Sequence, residues 1–88
     1  MTASVGDTLK FTWSGNHNVY VMPDAAAVAG CDFSGAVSVL CATRVGDDGN
    51  CETTLTSLPA YFACEVGGHC NSGQHLTVTG NLSSFAVS

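Results

Sequence analysis

Leu9, Phe11 and Trp13 alternate with Lys10 and Thr12. Successive side chains of an extended chain point to opposite faces, so this period of two predicts a half-buried strand. Gly15-Asn16 breaks the pattern. A second apolar run, residues 19–22, ends at Pro23, which has no N–H to continue a central ladder. Asp24 is placed to cap a single helical turn over residues 25–28, stopped by Gly30. Residues 36–40 predict a third strand. Residues 53–58 and 61–64 predict two more on either side of Pro59-Ala60, and residues 74–79 close the set. The polar, glycine-containing stretch 45–50 predicts a hairpin connection. Many short strands with regular turns and little helix imply an all-β chain folded as a small sandwich or barrel.

The 88 residues make one domain, 1–88, with the Ser- and Asn-rich stretch 81–88 expected as a tail or linker stub. A domain this small buries a modest share of its surface and often relies on disulfides or a metal. Five cysteines and three histidines offer both. Charged residues are 10% and apolar residues 45%, a composition that folds rather than stays disordered. The net charge is −5, with Lys10 and Arg44 the two cations. A nucleic-acid surface needs clustered cations to neutralise phosphates, and an anionic membrane surface attracts them, so neither partner is expected. The most apolar stretch, residues 25–30, falls far short of the ~20 residues of a membrane crossing. Met1-Thr2-Ala3-Ser4 lacks the basic start and apolar run of a signal peptide. Even so, the cysteines fit an oxidising compartment, and Asn81-Leu82-Ser83 is a glycosylation sequon. The expected location is extracytoplasmic: secreted, cell-surface or an organelle lumen.

The informative chemistry lies in residues 61–78. Four residues separate Cys64 from His69, and four separate His69 from Gln74. Gly67, Gly68 and Gly73 let the connecting loops turn tightly. Strand parity places Gln74 with Leu76 and Val78 on the inward face and His75 on the outward one, and it aligns Cys64 with Phe62. A thiolate, two imidazoles and a weak axial donor are the ligands of a blue-copper electron-transfer site. His17, just past the end of the first strand, is the best candidate for the second imidazole. Such a compromise geometry, held by a rigid sheet, changes little between copper(I) and copper(II), so little reorganisation opposes electron transfer.

These pieces carry a family resemblance. Val5-Gly6-Asp7-Thr8-Leu9-Lys10-Phe11-Thr12-Trp13, His17-Asn18-Val19-Tyr20, Tyr61-Phe62-Ala63-Cys64 and Gly68-His69-Cys70-Asn71-Ser72-Gly73-Gln74 resemble the phytocyanins, plant-type blue-copper proteins related to plastocyanin. The resemblance implies a cupredoxin-like Greek-key β-sandwich with one copper ion at its end. It implies His17, Cys64 and His69 as equatorial ligands, and Gln74 where other members place an axial methionine, as in the stellacyanins. It implies a first strand before Val5 that this chain is expected to lack, and a longer middle than residues 24–51 provide. Once Cys64 is set aside, four cysteines allow three pairings. The resemblance favours Cys31–Cys70, which leaves Cys41–Cys51 flanking the polar turn.

The expected function is a monomeric one-electron carrier, not an enzyme, that exchanges electrons with a redox protein or a small-molecule reductant. Copper binding for sequestration or delivery is the alternative. A structural zinc site of Cys64, His69, Cys70 and His75 does not match the usual paired spacing. A thiol enzyme built on Cys64 and His69 needs an accessible thiolate, against the inward parity of Cys64. A multicopper oxidase would need His-x-His pairs, and the chain has none.

Overall fold

The computed structural model describes residues 1–46 and 49–80. In chain order the elements are β1 (Thr2–Ala3), β2 (Thr8–Lys10), β3 (Asn16–Met22), α1 (Ala25–Gly30), β4 (Ser38–Val45), β5 (Glu52–Thr54), β6 (Ala60–Ala63) and β7 (His75–Gly80). They form a five-stranded sheet in the order β1-β7-β6-β3-β4, faced by a two-stranded sheet of β2 and β5. The fold is an all-β sandwich with one short helix.

Period-two patterning explains the layers. In the central strands β3 and β6, alternate residues serve two different cores. Val19 and Phe62 point between the sheets, where they meet Leu9, Leu55, Cys41, Cys51 and Val78. Met22 and Ala63 point the other way, onto Val28 of the helix and Cys70. Both faces of these strands are therefore covered, which holds their ends rigidly in place.

The helix begins where Asp24 accepts the N–H of Ala27 at 2.8 Å. It runs through Gly30, and the left-handed C-cap falls one residue later, on Cys31 (φ 49°). Glycine is the usual occupant of that conformation. Here Cys31 takes it and bonds to Cys70 across 5.8 Å between Cα atoms. A second disulfide, Cys41–Cys51, links β4 to the residue preceding β5 and so ties one sheet to the other. Cys51 is wholly buried.

Several boundaries differ from the sequence expectation. The stretch before Val5 is not devoid of strand, because Thr2 and Ala3 pair in parallel with Thr79 and Gly80. The N–H of Thr79 also bonds to the carbonyl of Met1. Of the run from Leu9 to Trp13, only the first part is laddered. The N–H of Phe11 makes a last bond to the carbonyl of Cys51, and beyond it β5 offers no partner. Strand β4 starts at Ser38 and continues to Val45, where a connection was expected. Two register shifts against β3 let it bend and carry on. Asp47, Asp48, the sequon at Asn81 and the tail 81–88 lie outside the described residues.

Candidate metal centre

His17 is the second residue of β3, opposite Arg44 of β4. Strand β6 runs antiparallel beside it and ends at Ala63, paired with Tyr20, so Cys64 emerges at the same end of the sandwich. Where the backbone ladder between β3 and β6 stops, a side chain takes over. Asn18, 3% exposed, accepts the N–H of Glu65 at 2.7 Å and donates to Thr43 Oγ1 at 2.8 Å.

The loop from Cys64 to Gln74 is closed by its own backbone. The N–H of Cys64 bonds to the Gln74 carbonyl, and the N–H of Gln74 bonds to the His69 carbonyl, each at 3.0 Å. The N–H of His69 bonds to the Val66 carbonyl, also at 3.0 Å. Gly67 and Gly73, with φ of 48° and 107°, supply the turns this path requires. Cys70, directly after His69, is pinned to the helix by its disulfide. The loop is thus held at both ends and in the middle.

Three donors converge. Cys64 Sγ lies 3.7 Å from His17 Nδ1 and 3.6 Å from His69 Nδ1. The candidate ligand atoms of the three residues are all within 4.8 Å of one another. The two imidazole rings stand 4.6 Å apart between centroids. Cys64 is a free, buried thiol, while both histidines are half-buried and so reach the surface. A metal fits this triangle. Bonds of roughly 2.0 Å to nitrogen and 2.3 Å to sulfur, at trigonal angles, separate the two atoms by about 3.7 Å. One soft thiolate with two imidazoles suits copper by donor type.

Gln74 borders the cavity that Cys64 and His17 also line. It is solvent-exposed, not buried as strand parity predicts, and stands just before β7, which begins at His75. His75 is exposed, on the side expected of it. Cys70 is committed to a disulfide, so the four-residue zinc set cannot assemble.

Two supports of the site escape sequence reasoning. Asn18 is one; its signal is a polar residue placed between His17 and a buried valine. The other is Trp13, whose ring meets that of His17 edge-on at 6.5 Å. Trp13 Nε1 donates to the Arg44 carbonyl at 3.2 Å, and the Arg44 guanidinium lies 5.1 Å over the indole. Only their alternation with Leu9 hinted that Phe11 and Trp13 face inward.

Comparison with known proteins places this geometry in context. The plastocyanin-like domain profile matches residues 1–74. Uclacyanin-3 of Arabidopsis thaliana is 38% identical over 78 residues, 88% of this chain and 32% of its own. Cucumber peeling cupredoxin of Cucumis sativus is 30% identical over 95 aligned positions, 99% of this chain and 61% of its own. The structure of cucumber stellacyanin with Cu2+ superposes with a TM-score of 0.66 at 30% identity, covering 91% of this chain and 70% of that one. The chain therefore spans less than two thirds of the length of these two curated relatives.

Proposed function

The chain belongs to the plastocyanin-like domain family, and from that membership and its donor triangle we propose that it is a type 1 copper protein acting as a one-electron carrier. The observation that carries the reading is the approach of Cys64 Sγ to His17 Nδ1 and His69 Nδ1, at 3.7 and 3.6 Å. These three residues would hold one copper ion, and Gln74, on the shared cavity wall, would be a fourth, weaker donor. When bound, copper supplies a single electron by alternating between two oxidation states.

The protein's own part is to hold the donors still. Asn18, the residue after His17, accepts the N–H of Glu65, the residue after Cys64. The Cys31–Cys70 bridge anchors the residue after His69. A frame this constrained imposes nearly the same ligand positions in either oxidation state. Gln74, a harder donor than methionine, favours copper(II) and lowers the potential. The half-buried edges of His17 and His69 are where electrons enter and leave.

Two disulfides support an extracytoplasmic location. No helix among the described residues is long and apolar enough to cross a membrane. We read residues 1–88 as one monomeric copper domain that serves a redox protein or a small-molecule reductant and is not itself an enzyme.

Voltammetry of the copper-loaded protein tests the carrier role against copper delivery. A reversible one-electron wave, with copper retained against a chelator, supports the carrier. Rapid copper loss without a reversible wave assigns the domain to delivery.

A further inference from the structure

The two disulfides belong to different cores and differ in access. Cys41 and Cys51 lie in the larger core between the sheets, 7% and 0% exposed. Cys70 lies in the smaller core under the helix, with Met22, Val28 and Ala63 as its buried companions. Its partner Cys31 packs against that core only in part and is half-buried. A thiol in solution therefore meets the second bridge at Cys31, while the first is enclosed.

The end of the helix depends on that bridge. Among the described residues Cys31 is the one non-glycine residue with positive φ, a left-handed conformation that crowds its Cβ against the following carbonyl. The helix is six residues long and contributes one buried residue, Val28. A helix this short does not persist without tertiary support. On the other side of the bridge, Cys70 follows His69 directly, and its carbonyl accepts the N–H of Gly73 at 3.0 Å. Cutting Cys31–Cys70 frees the helix end and the middle of the ligand loop together. The larger core keeps its own disulfide, so this part can open without global unfolding.

We propose that Cys31–Cys70 is a redox-sensitive latch, opened selectively by a dithiol in the folded protein, and that its opening loosens the hold on His69. A thiolate of the dithiol attacks Cys31 Sγ and the bridge S–S bond breaks. Cys70 leaves as a thiolate and takes a proton from water as the loop opens. The second thiol of the reductant then attacks the mixed disulfide and releases Cys31. The bridge is reduced by two electrons, and the dithiol departs as its cyclic disulfide. Opening needs no metal; the consequence for copper rests on the copper reading above.

The first test treats the metal-free protein with dithiothreitol in the absence of denaturant, traps thiols with iodoacetamide and maps the labelled peptides. Cys31 and Cys70 should be labelled while Cys41 and Cys51 remain bridged. On opening, hydrogen exchange at the His69 and Gln74 amides should speed up by about tenfold or more, with Phe62 and Val78 unchanged, as expected for a local opening. Both bridges opening together, Cys41–Cys51 opening first, or unaltered exchange in the ligand loop would overturn the latch.

The copper consequence is read in Cys31→Ser combined with Cys70→Ser, which opens the latch without adding thiols that themselves bind copper(I). Chelator-driven copper release should be about tenfold faster or more, the usual effect of losing a support behind a metal ligand. It should also be indifferent to dithiothreitol pretreatment. Release at the wild-type rate would overturn the link from latch to metal. A wild-type protein that takes up no copper would contradict the copper reading instead, and the labelling and exchange results would still decide whether the latch opens.

Discussion

Asn18 accepts the backbone N–H of Glu65 at 2.7 Å, so the residues that follow two donors of the metal centre, His17 and Cys64, are hydrogen-bonded to each other. The bond lies where the ladder between β3 and β6 has run out. Its carrier is nearly fully buried, 3% exposed, and its amide is used at both ends, since Nδ2 donates to Thr43 Oγ1 at 2.8 Å. A buried polar group placed this way fixes the separation of two strands more firmly than apolar packing does, because its bonds are directional.

Asn18→Leu should therefore destabilise the fold by about 1–3 kcal/mol, the usual cost of leaving buried hydrogen-bonding groups without partners. Thr43→Val removes one of these bonds and should cost less. Denaturant unfolding of the metal-free proteins compares the two. Equal losses would mean that the bond from the Glu65 N–H to Asn18 adds nothing beyond the bond to Thr43.

The two disulfides should separate stability from site geometry. They close loops of sequence separation 39 and 10, for which the chain-entropy account gives about 4 and about 3 kcal/mol. Replacing Cys31 and Cys70 together by serine should also loosen the loop that carries His69 and speed copper release. Replacing Cys41 and Cys51 together should cost stability while leaving copper release closer to wild type. Unfolding curves and chelator-driven copper loss check both statements.

Trp13→Phe keeps a ring beside His17 but loses the hydrogen bond to the Arg44 carbonyl, at a cost of roughly 1 kcal/mol. Trp13→Ala loses the ring as well and should weaken copper binding further. Trp13 is the single tryptophan of the chain, so its fluorescence in the wild-type protein should fall as copper(II) binds. A titration that leaves the emission unchanged would place the metal away from His17.

Gln74→Met should raise the reduction potential, because a thioether donor stabilises copper(II) less than an amide oxygen does. Voltammetry of the two proteins measures the shift. No change would mean that Gln74, exposed as it is, does not touch the metal.

Much of the fold is legible in local pattern. The shared faces of Phe62 with Cys64 in β6 and of Leu76 with Val78 in β7 follow from alternation, and the helix start at Asp24 from its capping chemistry. Pattern is silent on which extended stretches find partners. Phe11–Trp13 has the alternation of a strand yet leaves the ladder, and β4 runs on to Val45 through two register shifts that no local signal marks. The metal centre divides in the same way. Residue types and loop glycines nominate Cys64, His69 and Gln74, but the 3.7 Å approach of Cys64 Sγ to His17 Nδ1 arises from strand pairing across 47 residues of sequence. The clamp at Asn18 is equally long-range. Cysteine spacing alone leaves three pairings open, and it was the family resemblance that favoured Cys31–Cys70.

The most direct measurement adds one equivalent of copper(II) to the oxidised protein and records visible and EPR spectra beside those of Cys64→Ala. The account predicts an intense thiolate-to-copper charge-transfer band in the visible, with a narrow copper hyperfine splitting, both lost in Cys64→Ala. A colourless wild-type protein, or one with only the broad signal of copper bound by nitrogen and oxygen, would contradict it.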